Sequence, residues 1–517
     1  PLPRGTPLVL MEPDDPDGYW RAVLDHSPAD VAGTVDRLIA LASEQIVPWQ
    51  DQPGVTDPLR ALDLHLLSKP PAELTALRKL QDDHLKRETL PQDPSEADIL
   101  TLTRRFPWSS TVHSMLLKLG NDALWSGRAE SALRSFRELL AHAIDPKLRD
   151  AAQVGAWTAL RMIGAIDELR ATAGTIDPGR NYPWMDRTAK GAEIRAELFK
   201  GVSSMTPVPA AELSSLDQHI LQLPPVSPWP TDTPAVGFGI DLQVAGSQII
   251  ASGRNMLVSY DASNPGPPLW SQLQRHPVDQ HRRTGYHPGY FRPLIRGGTL
   301  YTRWGLSSLP NGIAAFSLEG GQPEWSHIYT RGTSRYANGV PMGDPVAAEG
   351  GLFYLQWHTP GDVTDRNRAV SLVHLDLSTR QPRWSTDLVI AGRSVDSEGR
   401  LQGAAPQNVI YGNEVTVHRG AVYCNTNAGM IVRCDVRDGR VDWVHNYRRQ
   451  NSSLVPQNLG SAPIIAGDTV VCMPRDDGRI FALDQRTGRV LWDNPLILGN
   501  EMIGVYEDTL VVRGTGV

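Results

Sequence analysis

A short phrase recurs five times in the second half of this 517-residue chain: an acidic or small polar residue followed eight or nine positions later by tryptophan. Its clearest copy is Ala482-Leu483-Asp484-Gln485-Arg486-Thr487-Gly488-Arg489-Val490-Leu491-Trp492, which reads as a strand, a Thr-Gly turn and a second strand closing on an aromatic ring. The other copies end at Trp270, Trp325, Trp384 and Trp443, so successive tryptophans stand 55, 59, 59 and 49 residues apart. That period is close to one four-stranded propeller blade with a generous connecting loop. Repetition therefore constrains the architecture before any chemistry is considered.

Composition excludes several classes. The chain is too long for one hydrophobic core, so at least two domains are expected. Only 40% of residues are hydrophobic, and no stretch approaches eighteen consecutive apolar residues, so no transmembrane segment is expected. The net charge of −7 offers nucleic acid no general attraction. Lys69, Lys79, Lys86, Lys118, Lys147, Lys190 and Lys200 are the whole lysine complement, which removes lysine chemistry from the repeats. The three cysteines, Cys424, Cys434 and Cys472, have no metal-binding or redox spacing. Cys424 and Cys434 flank the turn Asn427-Ala428-Gly429, where either a cross-strand disulfide or a pair of small apolar side chains is compatible with the pattern.

Residues 16–205 show helical periodicity. Helices are predicted around Tyr19 to Ile46, Leu59 to Arg87, Ser95 to Phe106, Ser110 to Ser126, Ala129 to His142 and Pro146 to Ile163. Leu119, Gly120, Ala123, Gly127, Ala132 and Phe136 fall where a tetratricopeptide repeat places its packing residues, and this segment resembles that family. A looser second copy runs from Gln153 to Ala171, with Gly164 as its turn. Residues 206–234 are Pro-rich and read as a stiff linker. Residues 235–517 hold five blades and the start of a sixth. Pro1-Leu2-Pro3-Arg4-Gly5 repeats the Pro-Leu-x-x-Gly pattern of Pro495-Leu496-Ile497-Leu498-Gly499, so residues 1–15 are expected to be a strand remnant of an upstream blade.

The repeats resemble those of the pyrroloquinoline-quinone (PQQ) type β-propellers, a family that includes quinoprotein alcohol dehydrogenases and the outer-membrane assembly lipoprotein BamB. The resemblance covers a little over half of the chain. It implies a multidomain α plus all-β protein: a helical-hairpin domain followed by a propeller of seven or eight blades, of which part is missing here. Asp376 and Asp435 keep the repeat acid, Ser317 replaces it before Trp325, and Arg380 stands where the turn glycine belongs before Trp384. In such propellers the tryptophans, here Trp270, Trp325, Trp384, Trp443 and Trp492, pack between neighbouring blades.

Two functional readings follow. A quinoprotein dehydrogenase needs PQQ, calcium with oxygen ligands and an aspartate base. Members of the family commonly carry adjacent cysteines over the quinone, and this chain has none. Asn413, Glu414 and Asn425 are candidate oxygen ligands but sit in turn-forming surroundings. The run from Arg275 to Arg292, with His276, Asp279, His281 and His287, matches no standard metal spacing. The segments after the tryptophans open on one face and are rich in arginine: Arg275, Arg282, Arg283, Arg292, Arg331, Arg335, Arg393, Arg400, Arg448 and Arg449. Tyr286, Tyr290, Tyr336 and Tyr447 interleave with them. That face suits an anionic ligand or peptide. The leading expectation is a non-catalytic scaffold that binds other proteins at the bacterial envelope, in the periplasm or at the outer membrane, with no cofactor. The alternative is a PQQ- and calcium-dependent oxidoreductase.

Overall fold

The computed structural model describes residues 55–56, 66–67, 70–184, 187–202, 241–253, 256–264, 266–273, 292–304, 312–328, 340–341, 343–358, 368–391, 415–447, 461–474, 477, 479–495, 499–506 and 509–514. The proposed strand at 1–15, the helix from Tyr19 to Ile46 and the linker at 206–234 lie outside them.

Seven helices are found among the described residues: α1 (Pro71–Leu85), α2 (Glu96–Arg105), α3 (Ser110–Trp125), α4 (Ala129–His142), α5 (Pro146–Ile163), α6 (Ile166–Ala173) and α7 (Gly191–Leu198). Their limits follow local chemistry. Ser95 caps α2 reciprocally with Asp98, each side chain accepting the other's backbone N–H at 3.2 and 2.9 Å. Asp145 and Pro146 open α5, and Gly164 ends it in the left-handed conformation, φ 78°. Phe136 of α4 fills the space between α3 and α5. A Cβ on Gly120 would lie 2.6 Å from its ring and one on Gly155 2.5 Å, so both neighbouring helices approach to contact only because they lack a side chain there. Gly120 and Phe136 were legible from sequence, whereas Gly155 was not.

The helical stretch is interrupted by extended chain. Asn181–Trp184 and Arg187–Lys190 form an antiparallel hairpin, and its Tyr182, Trp184 and Ala189 join the helical core. Val55–Thr56 leaves the region altogether and pairs with a blade. Residues 16–205 are therefore not uniformly helical: side chains alternating toward the core make the hairpin worth burying, which a helical period does not reveal.

Beyond the helices, consecutive antiparallel strands form up-and-down sheets. The first blade comprises Asp241–Ala245, Gln248–Gly253, Met256–Asp261 and Trp270–Leu273. The second is Leu294–Arg296, Thr299–Trp304, Gly312–Ser317 and Pro323–Ile328. The third is Val346–Ala348, Gly351–His358, Arg368–Asp376 and Pro382–Ala391, with Val340–Pro341 also paired to Gly351–His358. The fourth is Val415–His418, Ala421–Asn425, Met430–Asp435 and Val441–Asn446, and Val55–Thr56 extends its outer edge. The fifth is Ser461–Ala466, Thr469–Met473, Arg479–Asp484 and Val490–Pro495, and a two-stranded sheet, Gly499–Tyr506 with Thr509–Gly514, follows it. Among the described residues these sheets form no closed barrel.

The repeated phrase acquires a physical explanation at the turn before each outer strand. The acid's side chain accepts backbone N–H groups two and three residues on: Asp376 from Ser378 and Thr379 at 2.8 and 2.9 Å, Asp484 from Arg486 and Thr487 at 3.0 and 2.8 Å. The residue four positions after the acid closes the turn with positive φ, at Gly439 (74°) and Gly488 (73°). Arg380 adopts the same conformation, φ 58°, despite its side chain. The tryptophan of one blade lies on the turn glycine of the next: a Cβ on Gly321, Gly439 or Gly488 would stand 2.5 to 2.6 Å from Trp270, Trp384 or Trp443 respectively. Trp270 and Trp443 also donate their indole N–H to carbonyls of that following turn, Leu318 and Gln485, at 3.0 and 3.1 Å. Aromatic plate and bare backbone thus lock adjacent sheets together.

Cys424 and Cys434 are thiols rather than a disulfide. Register places Cys424 opposite Val432 and Cys434 opposite Val422. Both thiols belong to the apolar core shared by the third and fourth blades, and burial raises the Cys434 thiol well above its ordinary value.

Candidate functional site

The turn between the first and second strands of a blade and the turn before its outer strand lie at one end of the sheet. The helical domain sits on that end of the third and fourth blades. The Glu349-Gly350 turn brings Glu349, φ 57°, to the start of α4. There its Oε1 accepts from the backbone N–H of Glu130 and Ser131 at 2.6 and 3.1 Å, and its Oε2 accepts from the Ser131 hydroxyl. A propeller carboxylate therefore caps a helix of the other domain. Glu130 reaches the opposite way and accepts from Gly420 N–H at 2.6 Å. Helix and turn touch so closely that a Cβ on Gly420 would lie 2.6 Å from Arg134 Cβ.

Next along α4 is a buried ionic cluster. Arg134 stands 3.4 Å from Asp435 and 3.3 Å from Asp442, while Arg437 pairs with Asp435 at 2.7 Å and Glu138 at 2.8 Å. Arg433 completes it, 2.9 Å from Asp442. Burial alone would raise the Asp435 carboxyl, but the Arg437 and Arg134 guanidiniums outweigh it and hold the group well below the usual carboxylate range. Arg437 responds in the opposite direction: its partners hold it charged despite burial. Around the rim, Arg104 meets Asp438 at 2.5 Å, Glu96 bridges Arg383 and Arg128 at 2.6 and 2.8 Å, and Arg419 meets Glu168 at 2.8 Å.

Sequence reasoning missed this seam. Arg437, Asp438 and Arg440 crowd one turn of the fourth repeat, and that charge density was the available signal. Charges in turns ordinarily face water, and nothing in the sequence indicates which turn α4 will cover.

Of the proposed arginine face, Arg275, Arg282, Arg283, Arg331, Arg335, Arg448, Arg449 and Tyr286 lie outside the described residues, as do Asn413, Glu414 and the histidine run. Arg292 is described and its side chain is 61% exposed, with Nε 3.4 Å from Asp241. Its backbone N–H donates to Asp344 at 2.6 Å, and Asp344 pairs at 3.1 Å with the buried Arg303. Tyr447 requires correction. It is 6% exposed and belongs to the core between the fourth and fifth blades, its ring 5.6 Å from Phe481, so it is no part of an open surface. Asn425 is buried as well, donating from Nδ2 to the Ser461 carbonyl at 2.8 Å, with its Oδ1 lacking a hydrogen bond among the described residues.

Among known proteins, residues 311–505 match the family described as outer membrane protein assembly factor BamB. No curated protein matches. Solved structures similar to this chain include BamB from Moraxella catarrhalis, 18% identical over 50% of this chain and 65% of that one, TM-score 0.32. Another is the quinohemoprotein alcohol dehydrogenase from Comamonas testosteroni, 14% identical over 53% of this chain and 46% of that one, TM-score 0.33. A europium-containing methanol dehydrogenase is 12% identical over 53% of this chain and 54% of that one, TM-score 0.32. The chain thus spans less than two thirds of the length of each. The family match covers residues 311–505, from within the second blade to the strand that follows the fifth, and this stretch is similar to PQQ-like propeller repeats in a chain that places a helical domain ahead of them.

Proposed function

We propose that this protein is a non-catalytic binding scaffold of the bacterial cell envelope, whose propeller and helical domain act as one rigid body for protein partners. The observation that carries this reading is the buried seam: capping by Glu349 and the Arg134, Arg437, Asp435 and Asp442 cluster tie α4 to two blades. A fused surface of this kind serves presentation. The strand ends that lead into the arginine-rich segments lie at the opposite end of the blades from the seam, which leaves them for a partner with acidic or carboxylate groups. The BamB description of the matching family supports an envelope role in assembly. No helix among the described residues is long and apolar enough to cross a membrane.

The oxidoreductase reading requires calcium, which takes six to eight oxygen ligands. Among the described candidates, Asn425 offers one amide oxygen at a site where its nitrogen is already engaged. The test pairs two measurements. Capture from an envelope extract is expected to recover defined partners with the wild-type chain, and to lose them when Arg275, Arg282, Arg283, Arg331, Arg335, Arg448 and Arg449 are changed to serine. Calorimetric titration with PQQ and calcium is expected to show no heat at micromolar concentration, and tight one-to-one binding would overturn the scaffold reading.

A further inference from the structure

All five blades join their first two strands by a two-residue turn. Ala245 faces Gln248 across it, Arg296 faces Thr299, Ala348 faces Gly351, His418 faces Ala421 and Ala466 faces Thr469. The first turn residue is left-handed each time, with φ 62° at Gly246, 58° at Gly297, 57° at Glu349, 52° at Arg419 and 58° at Gly467. Glycine suits this position because it adopts the conformation without a Cβ clash. The first, second and fifth blades use it, and a Cβ on any of those three glycines would meet nothing within 4 Å. The third and fourth blades carry charged residues there instead, and hold them in a strained conformation. These are the two turns under the helical domain. Glu349 accepts from the Glu130 and Ser131 backbone and from the Ser131 hydroxyl at the start of α4, and Arg419 Nε lies 2.8 Å from Glu168 of α6.

Blades built from one repeat offer a docking domain several nearly equivalent seats, because each adjacent pair presents the same strands and turns. Backbone geometry alone does not tell these seats apart, and a turn whose first residue is glycine has no side chain there to do so. We infer that Glu349 and Arg419 are the residues that select the third and fourth blades as the seat of the helical domain, their strained turns being offset by the contacts made at the seam. The two charges are also ordered. An anion stands where the N–H groups and dipole of α4 favour one, and a cation stands beside Glu168. Exchanging them would place a guanidinium at the helix N-terminus and a second carboxylate against Glu168, so the pair fixes the direction of docking as well as its place. Between them, Gly420 stays bare because Arg134 Cβ would lie 2.6 Å from any Cβ added there. This assignment concerns how the domains are joined and is independent of what the joined surface binds.

Replacing each residue by the glycine that three other blades use separates selection from strain. Hydrogen exchange in the full chain is followed at α4 and α6, and at the strands that leave the two turns, Gly351–His358 and Ala421–Asn425. Glu349→Gly removes a carboxylate that accepts three hydrogen bonds, and is expected to lower protection of the first α4 amides about tenfold or more. Gly351–His358 is expected to stay as protected as in wild type or to gain, because the turn is relieved. Arg419→Gly is expected to lower α6 protection by about threefold, a smaller effect because Arg137 still pairs with Glu168. Ala421–Asn425 should again be unharmed. Unchanged α4 protection in Glu349→Gly overturns the proposal. A parallel loss in strand and helix also overturns it, since the side chains would then serve their own blades. A glycine variant that fails to fold counts the same way, because glycine already forms this turn in three blades.

Discussion

The fourth and fifth blades carry nearly the same repeat, Asp435-Val436-Arg437-Asp438-Gly439-Arg440-Val441-Asp442-Trp443 and Asp484-Gln485-Arg486-Thr487-Gly488-Arg489-Val490-Leu491-Trp492, and differ in what surrounds it. Trp443 is fully buried beneath the fifth blade's turn, whereas Trp492 is 44% exposed. The fourth blade's outer strand is paired by Val55–Thr56, while the fifth's is exposed along its length. Arg437 is enclosed with two acids, and Arg486, its counterpart, is exposed. One local code therefore builds the same turn twice, and neighbours alone make one copy a structural keystone.

Substitution at the two tryptophans should separate the blades most sharply. Trp443→Ala removes a ring packed on all sides and is expected to cost about 3–5 kcal/mol in urea unfolding. Trp492→Ala, already half in water, is expected to cost less than half of that, and equal losses would break the comparison. The charged pair comes next. Arg437→Ala leaves Asp435 buried with less compensation and is expected to cost about 3 kcal/mol or more, against about 0.5 kcal/mol or less for Arg486→Ala. An Arg437→Ala protein as stable as wild type would show that the seam does not hold the domains.

Smaller effects sharpen the picture. Gly488→Ala combines positive φ with a clash on Trp443 and is expected to cost about 1–3 kcal/mol. Gly467→Ala, with positive φ but open space around it, should cost about 1 kcal/mol, and the difference measures the aromatic contact. Acid titration gives the gentlest probe. Asp435 has a folded-state value below that of a free aspartate, so its contribution is complete above about pH 4 and is lost as pH falls below that. Loss of α4 protection in hydrogen exchange should therefore begin below about pH 4 and be absent in Asp435→Asn, whose seam is weakened at every pH.

Much of this fold could be read from residues. Ala129 to His142 and Pro146 to Ile163 begin and end where the pattern places them, because Pro146 and Gly164 act through their own backbones. The tryptophan spacing correctly marks the outer strands, since acid, turn residue and aromatic lie within one hairpin. Legibility failed where the partner is remote in sequence. Glu349 caps a helix 218 residues away, and Val55 pairs with Val444. Tyr447 looked like a surface aromatic because its neighbours Arg448 and Arg449 are charged, yet its ring faces Phe481.

By itself, then, the sequence determined the helical hairpins, the blade repeat and the turns that join its strands, because these depend on residues within one or two turns of each other. Only tertiary structure decided which turn would face α4, which tryptophan would be covered and which arginines would lose their water. Those outcomes depend on burial, and burial is a property of the neighbour a residue acquires rather than of the residue itself.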